Sequence, residues 1–126
     1  MPVRGAQKRI VSVVSSWDAV EIGPHRYGGL EFRLGKRELG HIHGDALVDI
    51  PFPRSVRDEI VESRLAEPHH IIPDSGWVSV FLRAKDDVDR AIQLLDRSFR
   101  LAAARRDGKD AASSRDSAPA PPVRKE

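Results

Sequence analysis

The sequence has no cysteine. This excludes disulfides, thiolate nucleophiles and zinc–thiolate sites, and it fits a cytoplasmic setting. No apolar run approaches the roughly 20 residues that cross a bilayer, so no membrane partner is expected. The first stretch, MPVRGAQKRIVSVV, starts basic but lacks an apolar segment closed by a small-residue cleavage site, and no signal peptide is expected. There is no clustered basic stripe either. The 21 Lys and Arg residues are interspersed with 19 Asp and Glu, which weakens the electrostatic case for DNA or RNA. Phosphate loops and dinucleotide fingerprints are missing. Ser55, Ser63, Ser75 and Ser79 carry no distinctive context, so no nucleophile triad can be assigned.

What is present suits one globular domain. The chain has 126 residues, 40% hydrophobic and 32% charged. The last twenty residues, DGKDAASSRDSAPAPPVRKE, hold Val123 as their only large aliphatic, and their charges cancel. Such a segment buries too little apolar surface to offset its ordering entropy. The expected division is therefore a domain over 1–106 and a disordered Ala/Ser/Pro/charged tail over 107–126.

Within the domain, Ile10, Val11, Val13, Val14 and Trp17 suggest a helix ending near Trp17. Val20 to Tyr27 reads as a strand, broken or bent at Gly28-Gly29. Leu30, Phe32 and Leu34 alternate with Glu31 and Arg33 as a half-buried strand. After a turn at 35–37, Glu38 to Ile50 reads as one long strand bending at Gly44. Pro53 suits the first turn of a short helix carrying Val56, Ile60, Val61 and Leu65. Ala66 to Gly76 is a loop and Trp77 to Arg83 a strand. Asp86 is expected to cap a final helix with the stripe Val88, Ile92, Leu95, Phe99 and Ala102. The order α-β-β-β-α-β-α predicts an α+β fold, an antiparallel sheet of about four strands with helices on one face and the other face partly open.

The stretch ELGHIHGDALVDIPFP carries the chemistry. Period-two geometry puts Leu39, His41, His43 and Asp45 on one face and Gly40, Ile42 and Gly44 on the other. The glycines suggest that a helix comes close on their side. The histidines then face the open side, beside Glu31 and Arg33. His25 and Arg26 precede the Gly-Gly break, and the 66–76 loop adds His69, His70 and Asp74. All five histidines thus lie in three short clusters on elements that can converge. Three interpretations stay open: an ordinary polar strand face, a metal site, and a pocket for proton transfer near pH 7. His-x-His on a strand can supply two imidazoles, which His69 or His70 could complete, but no spacing matches a standard zinc motif. In a pocket, neutral imidazoles would exchange protons, tuned by Glu31 or Asp45. Trp77 beside His69-His70 would supply a flat apolar wall.

Three blocks, GPHRYGGLEFRLGKRELGHIHGD, DIPFPRSVRDEIV and AEPHHIIPDSGWVSVFLR, resemble the small bacterial luciferase-domain family over roughly residues 8–103. That family is named for its similarity to the luciferase of bioluminescent fungi. The fungal enzyme is similar to a monooxygenase that acts on a hydroxypyrone with molecular oxygen, without metal or flavin, and for this chain the resemblance implies a small-molecule site with unresolved substrate. More loosely, the order of elements resembles the MmcQ/YjbR-like fold, sometimes described as DNA-binding.

The expectation is a small-molecule site on the histidine face, with cofactor-independent oxidation as its activity and no cofactor or metal assigned. His41 and His43 would transfer protons or hydrogen-bond the substrate, with Glu31 as their orienting carboxylate. Arg26 would bind an anionic oxygen, and His25, His69, His70 and Trp77 would complete the pocket. The alternative is a DNA- or protein-interaction module using the same face without catalysis.

Overall fold

Apolar alternation in short strands builds a sheet with one face for helices and one for polar chemistry. A computed structural model describes residues 2–25 and 28–114, with side chains as far as Arg105. The described elements are α1 (Ala6–Val14), β1 (Val20–Pro24), β2 (Leu30–Leu34), β3 (Arg37–His43), β4 (Leu47–Pro51), α2 (Arg54–Glu62), β5 (Glu67–Pro68), β6 (Trp77–Phe81) and α3 (Lys85–Ser114). The strands form one antiparallel sheet ordered β1-β2-β3-β4-β6-β5. The class is α+β, as expected. The tail expected over 107–126 lies outside the described residues from 115 onward. No described helix is long and apolar enough to cross a membrane.

The strand count is higher than expected for two reasons. Residues 38–50 are not one bent strand but a hairpin, turning at 44–46 with Gly44 at φ 54°. Glu67–Pro68 then adds a two-residue edge strand to β6. The hairpin changes the role of Asp45, which leaves the histidine face for the turn. Its carboxylate accepts the backbone N–H of Gly5 at 3.1 Å and of Gln7 at 2.9 Å. Asp45 thereby satisfies first-turn donors of α1 that have no partner within the helix. At α3 the residue reaching back to the helix start is Asp87 rather than Asp86. Asp87 accepts the N–H groups of Arg83 and Ala84 at 2.8 and 2.9 Å.

Simple alternation also fails at Leu39. The ladder slips between Phe32 and Arg33, which face Gly40 and Glu38, so Leu39 is the extra residue of a β-bulge. The bulge turns Leu39 away from His41 and into the core with Ile42, at 1% and 0% exposed. Gly40 makes the packing possible. A Cβ there would lie 2.8 Å from Leu95 of α3 and 2.9 Å from the Asp49 carbonyl. The helix backbone expected against this glycine is not what fills the space; a helix side chain and a neighbouring strand carbonyl do. Gly44 has no such neighbour and serves the turn. The Leu39 carbonyl accepts the Ser98 hydroxyl of α3 at 3.0 Å.

The core lies between sheet and helices. Phe32, Ile42, Val48, Ile50, Val78 and Val80 meet Ile10 and Val14 of α1, Ile60 of α2, and Val88, Ala91 and Leu95 of α3. Replacing Asp45 by alanine should lower stability by about 1 kcal/mol, the usual effect of losing a helix-capping side chain. Urea unfolding measures this, and an unchanged midpoint would mean that Asp45 does not hold α1.

Candidate functional site

Cross-strand register lays one row of residues across the sheet. Glu31 faces His41, His41 faces Asp49, Asp49 faces Ser79, and Ser79 faces Glu67. Directly opposed residues share a face. Ile42, Val48, Ile50, Val78 and Val80 take the other face into the core, so this row lies away from the helices. That face is less open than expected. The 66–76 loop folds across it and brings His69 and His70 to Asp49.

Asp49 is the centre, 1% exposed between Val48 and Ile50, which are fully buried. Its Oδ1 accepts the Ser79 hydroxyl at 2.6 Å. Around Oδ2 stand four imidazole Nε2 atoms, His41 at 3.2, His43 at 3.4, His69 at 3.5 and His70 at 3.3 Å. Sequence reading passed over both Asp49 and Ser79. The available signal was a single carboxylate inside the apolar run LVDIPF, since a buried charge needs built-in partners.

The five histidines do converge. His25 stacks on His41 with ring centres 4.0 Å apart. His43 meets His41 edge-on at 4.9 Å, and His69 stacks on His70 at 4.4 Å. Trp77 lies 5.3 Å from the His41 ring and 6.1 Å from that of His69. Arg26 lies outside the described residues. Glu31 faces His41 in the ladder, but its carboxylate pairs with Arg33. The glutamate bonded to His41 is Glu38, whose Oε2 accepts Nδ1–H at 2.7 Å. The bulge accounts for this, because it brings residues 38 and 41 to one side of a strand in which strict alternation would separate them.

These contacts differentiate the imidazoles. Burial disfavours a charge on His41, but hydrogen bonds to Asp49 and Glu38 outweigh it and raise the pKa to about 9. Without a bound ion His41 is an imidazolium between two carboxylates. His43 is shifted down by burial and by the neighbouring His41 charge. Burial also lowers His69. The His69 Nδ1 accepts the N–H groups of Ile71 and Ile72, both at 3.1 Å, so its proton sits on Nε2 facing Asp49. Burial of Asp49 would raise its pKa, yet the bond from His41, the Ser79 hydroxyl and the His69 and His70 rings bring it below the usual carboxylate value.

Beside the cluster runs a groove of about 440 Å³ lined by Lys36, Arg37, Glu38, Pro51 and Trp77. Glu38 and Trp77 belong to both. Among the described residues, three sets of donor atoms lie close enough to share a metal ion: His25, Glu38 and His41; His41, His43 and Asp49; and Asp49, His69 and His70.

The family model for the luciferase domain matches residues 36–98, which is 63 of the 126 residues. The match contains His41, His43, Asp49, His69, His70, Trp77 and Ser79, and leaves His25 and Glu31 outside. No curated protein and no solved structure matches the chain.

The raised His41 pKa has a defined consequence for stability. A folded-state value above the unfolded one stabilises fully below about pH 6.5, and this contribution is lost as pH rises through about 9. In chelator-containing buffer, His41→Gln should therefore destabilise more near pH 6 than near pH 9.5. Urea unfolding of both proteins at the two pH values measures the difference. A penalty independent of pH would show that His41 is not held charged.

Proposed function

The chain belongs to the luciferase-domain family, and from that premise we propose that its histidine face and the adjoining groove form a small-molecule site for a flat ligand with an acidic oxygen. The observation that carries this reading is that groove and cluster share two side chains. Glu38 lines the groove and holds His41, and Trp77 lines the groove and lies against His41. The groove is open, so it would hold a flat ligand by one face.

The lining fits the chemistry. Trp77 offers a ring face for stacking. Lys36 and Arg37 supply cations for an anionic oxygen, the part assigned from sequence to Arg26. His41 and His43 are the proton-handling groups of this reading, set behind Glu38 and Trp77 of the groove lining. His25, His69 and His70 hold the surroundings of those two rings. Oxidation by molecular oxygen is the reaction to look for first, because the resemblance to the fungal enzyme implies it. An interaction module on the same face is the competing reading, and its DNA form predicts binding that weakens steeply with salt.

A panel of hydroxylated aromatic and pyrone compounds, titrated against the protein by calorimetry with oxygen uptake followed in parallel, tests the proposal. Saturable binding by at least one class is expected, weakened about tenfold or more in Trp77→Ala, a change of about 1.4 kcal/mol. A panel without binding at about millimolar concentration, or binding indifferent to Trp77→Ala, removes it.

A further inference from the structure

The contacts around Asp49 are of two lengths. Glu38 to His41 and Ser79 to Asp49 measure 2.7 and 2.6 Å, as charge-assisted hydrogen bonds should. All four imidazoles stand farther from Asp49 Oδ2, at 3.2–3.5 Å. Zinc–nitrogen and zinc–oxygen bonds of about 2.0–2.2 Å place neighbouring donors of a tetrahedron about 3.3–3.5 Å apart. The His41 and His70 contacts are long hydrogen bonds, and the spacing of all four matches that of ligands around an ion. We infer that His41 Nε2, His43 Nε2 and Asp49 Oδ2 form a site for a divalent transition-metal ion. This rests on the reading of the histidine face as a small-molecule site, since the ion would be held by the two rings that reading assigns to proton handling.

Hydrogen bonding selects this set among the three. In the set of Asp49, His69 and His70, the His69 Nδ1 already accepts two backbone N–H groups. A neutral ring then carries its proton on Nε2 and has no lone pair there for a metal. His69 can instead donate to Asp49 and orient it. In the set of His25, Glu38 and His41, the 2.7 Å contact is itself a hydrogen bond, and His25 Nε2 lies 4.0 Å from Glu38. For His41 and Asp49 the outer contacts are the ones a metal site requires. Glu38 accepts Nδ1–H of His41, which leaves Nε2 as the ligating nitrogen, an arrangement of carboxylate, histidine and metal in series. Ser79 holds Oδ1 of Asp49 and leaves Oδ2 for the ion.

The backbone supports the same assignment. His41 and Asp49 are direct partners on adjacent strands, and His43 lies two residues along on the same face. Sites on sheet strands are held more rigidly than sites on loops. The partial exposure of His43 provides an entry path. When the ion enters, it takes the place of the proton between His41 and Asp49, and that proton is released to solvent. Two imidazoles and a carboxylate suit zinc, iron, nickel or copper rather than magnesium or calcium. The same donor types serve non-haem iron oxygenases, where positions remain open for other ligands.

The test uses the full chain, stripped with a chelator and titrated separately with Zn²⁺ by calorimetry, Co²⁺ by visible absorption, and Fe²⁺ without oxygen. Saturable one-to-one binding of at least one ion is expected. His43→Gln, at a partly exposed ring, should weaken it at least about tenfold, and Glu38→Gln by about 10–100-fold through the outer contact. No saturable binding of any of the three ions, or binding undiminished in His43→Gln, overturns the site. Repeating the hydroxy-aromatic panel on stripped and metal-loaded protein separates the two proposals. Metal binding without ligand binding upholds the ion and removes the small-molecule reading, and ligand binding by a protein that takes no metal does the reverse.

Discussion

A carboxylate buried in the middle of a sheet has to be compensated where it stands, and Asp49 imposes that requirement on everything around it. Withdrawing such an ion from water costs several kcal/mol even after relaxation. At 1% exposure Asp49 can recover this only through the Ser79 hydroxyl and the imidazoles facing it. Those partners come from β3, β6 and the loop before β6. Pairing Asp49 therefore links the hairpin, the sheet's central register and the loop over its polar face. The arrangement of the histidines follows from that one charge.

A second constraint decides which side chains can meet it. In a strand of strict alternation, Glu38 and His41 would lie on opposite faces, and Leu39 would stand with the histidines. The bulge at Leu39 inserts one residue and resets the parity. It sends Leu39 into the core and leaves Glu38 beside His41, while the missing Gly40 side chain lets Leu95 fill the space behind. Ser98 then occupies the Leu39 carbonyl. Core packing and site geometry are thus set by the same local irregularity. Bulges are common beside functional sites because they re-aim a side chain without breaking the sheet.

Much of the fold was legible because it rests on periodicity. Leu30, Phe32 and Leu34 mark β2 by alternation, and Val88, Leu95 and Ala102 mark the buried stripe of α3. The histidine clusters were legible as a group through residue type and spacing. Less legible were the interruptions. A three-residue turn at 44–46 inside ELGHIHGDALVDIPFP converts one apparent strand into two and moves Asp45 from the site to the start of α1. Asp49 and Ser79 escaped notice because each is an ordinary residue in a strand pattern, and only cross-strand register joins them.

The sequence by itself determined the α+β class, the helix-covered face of the sheet, the presence of histidines on its other face and the resemblance to the luciferase-domain family. These depend on periods of 2 and 3.6 and on local motifs, which a chain carries whatever its long-range contacts. The tertiary structure decided which carboxylate each histidine meets. Asp49 rather than Asp45 became the centre, and Glu38 rather than Glu31 became the partner of His41. The physical reason is that the turn folds the chain back, which leaves Asp45 in the loop and sets Asp49 opposite His41, while the bulge shifts strand parity by one residue, and a shift of one exchanges the faces of the sheet.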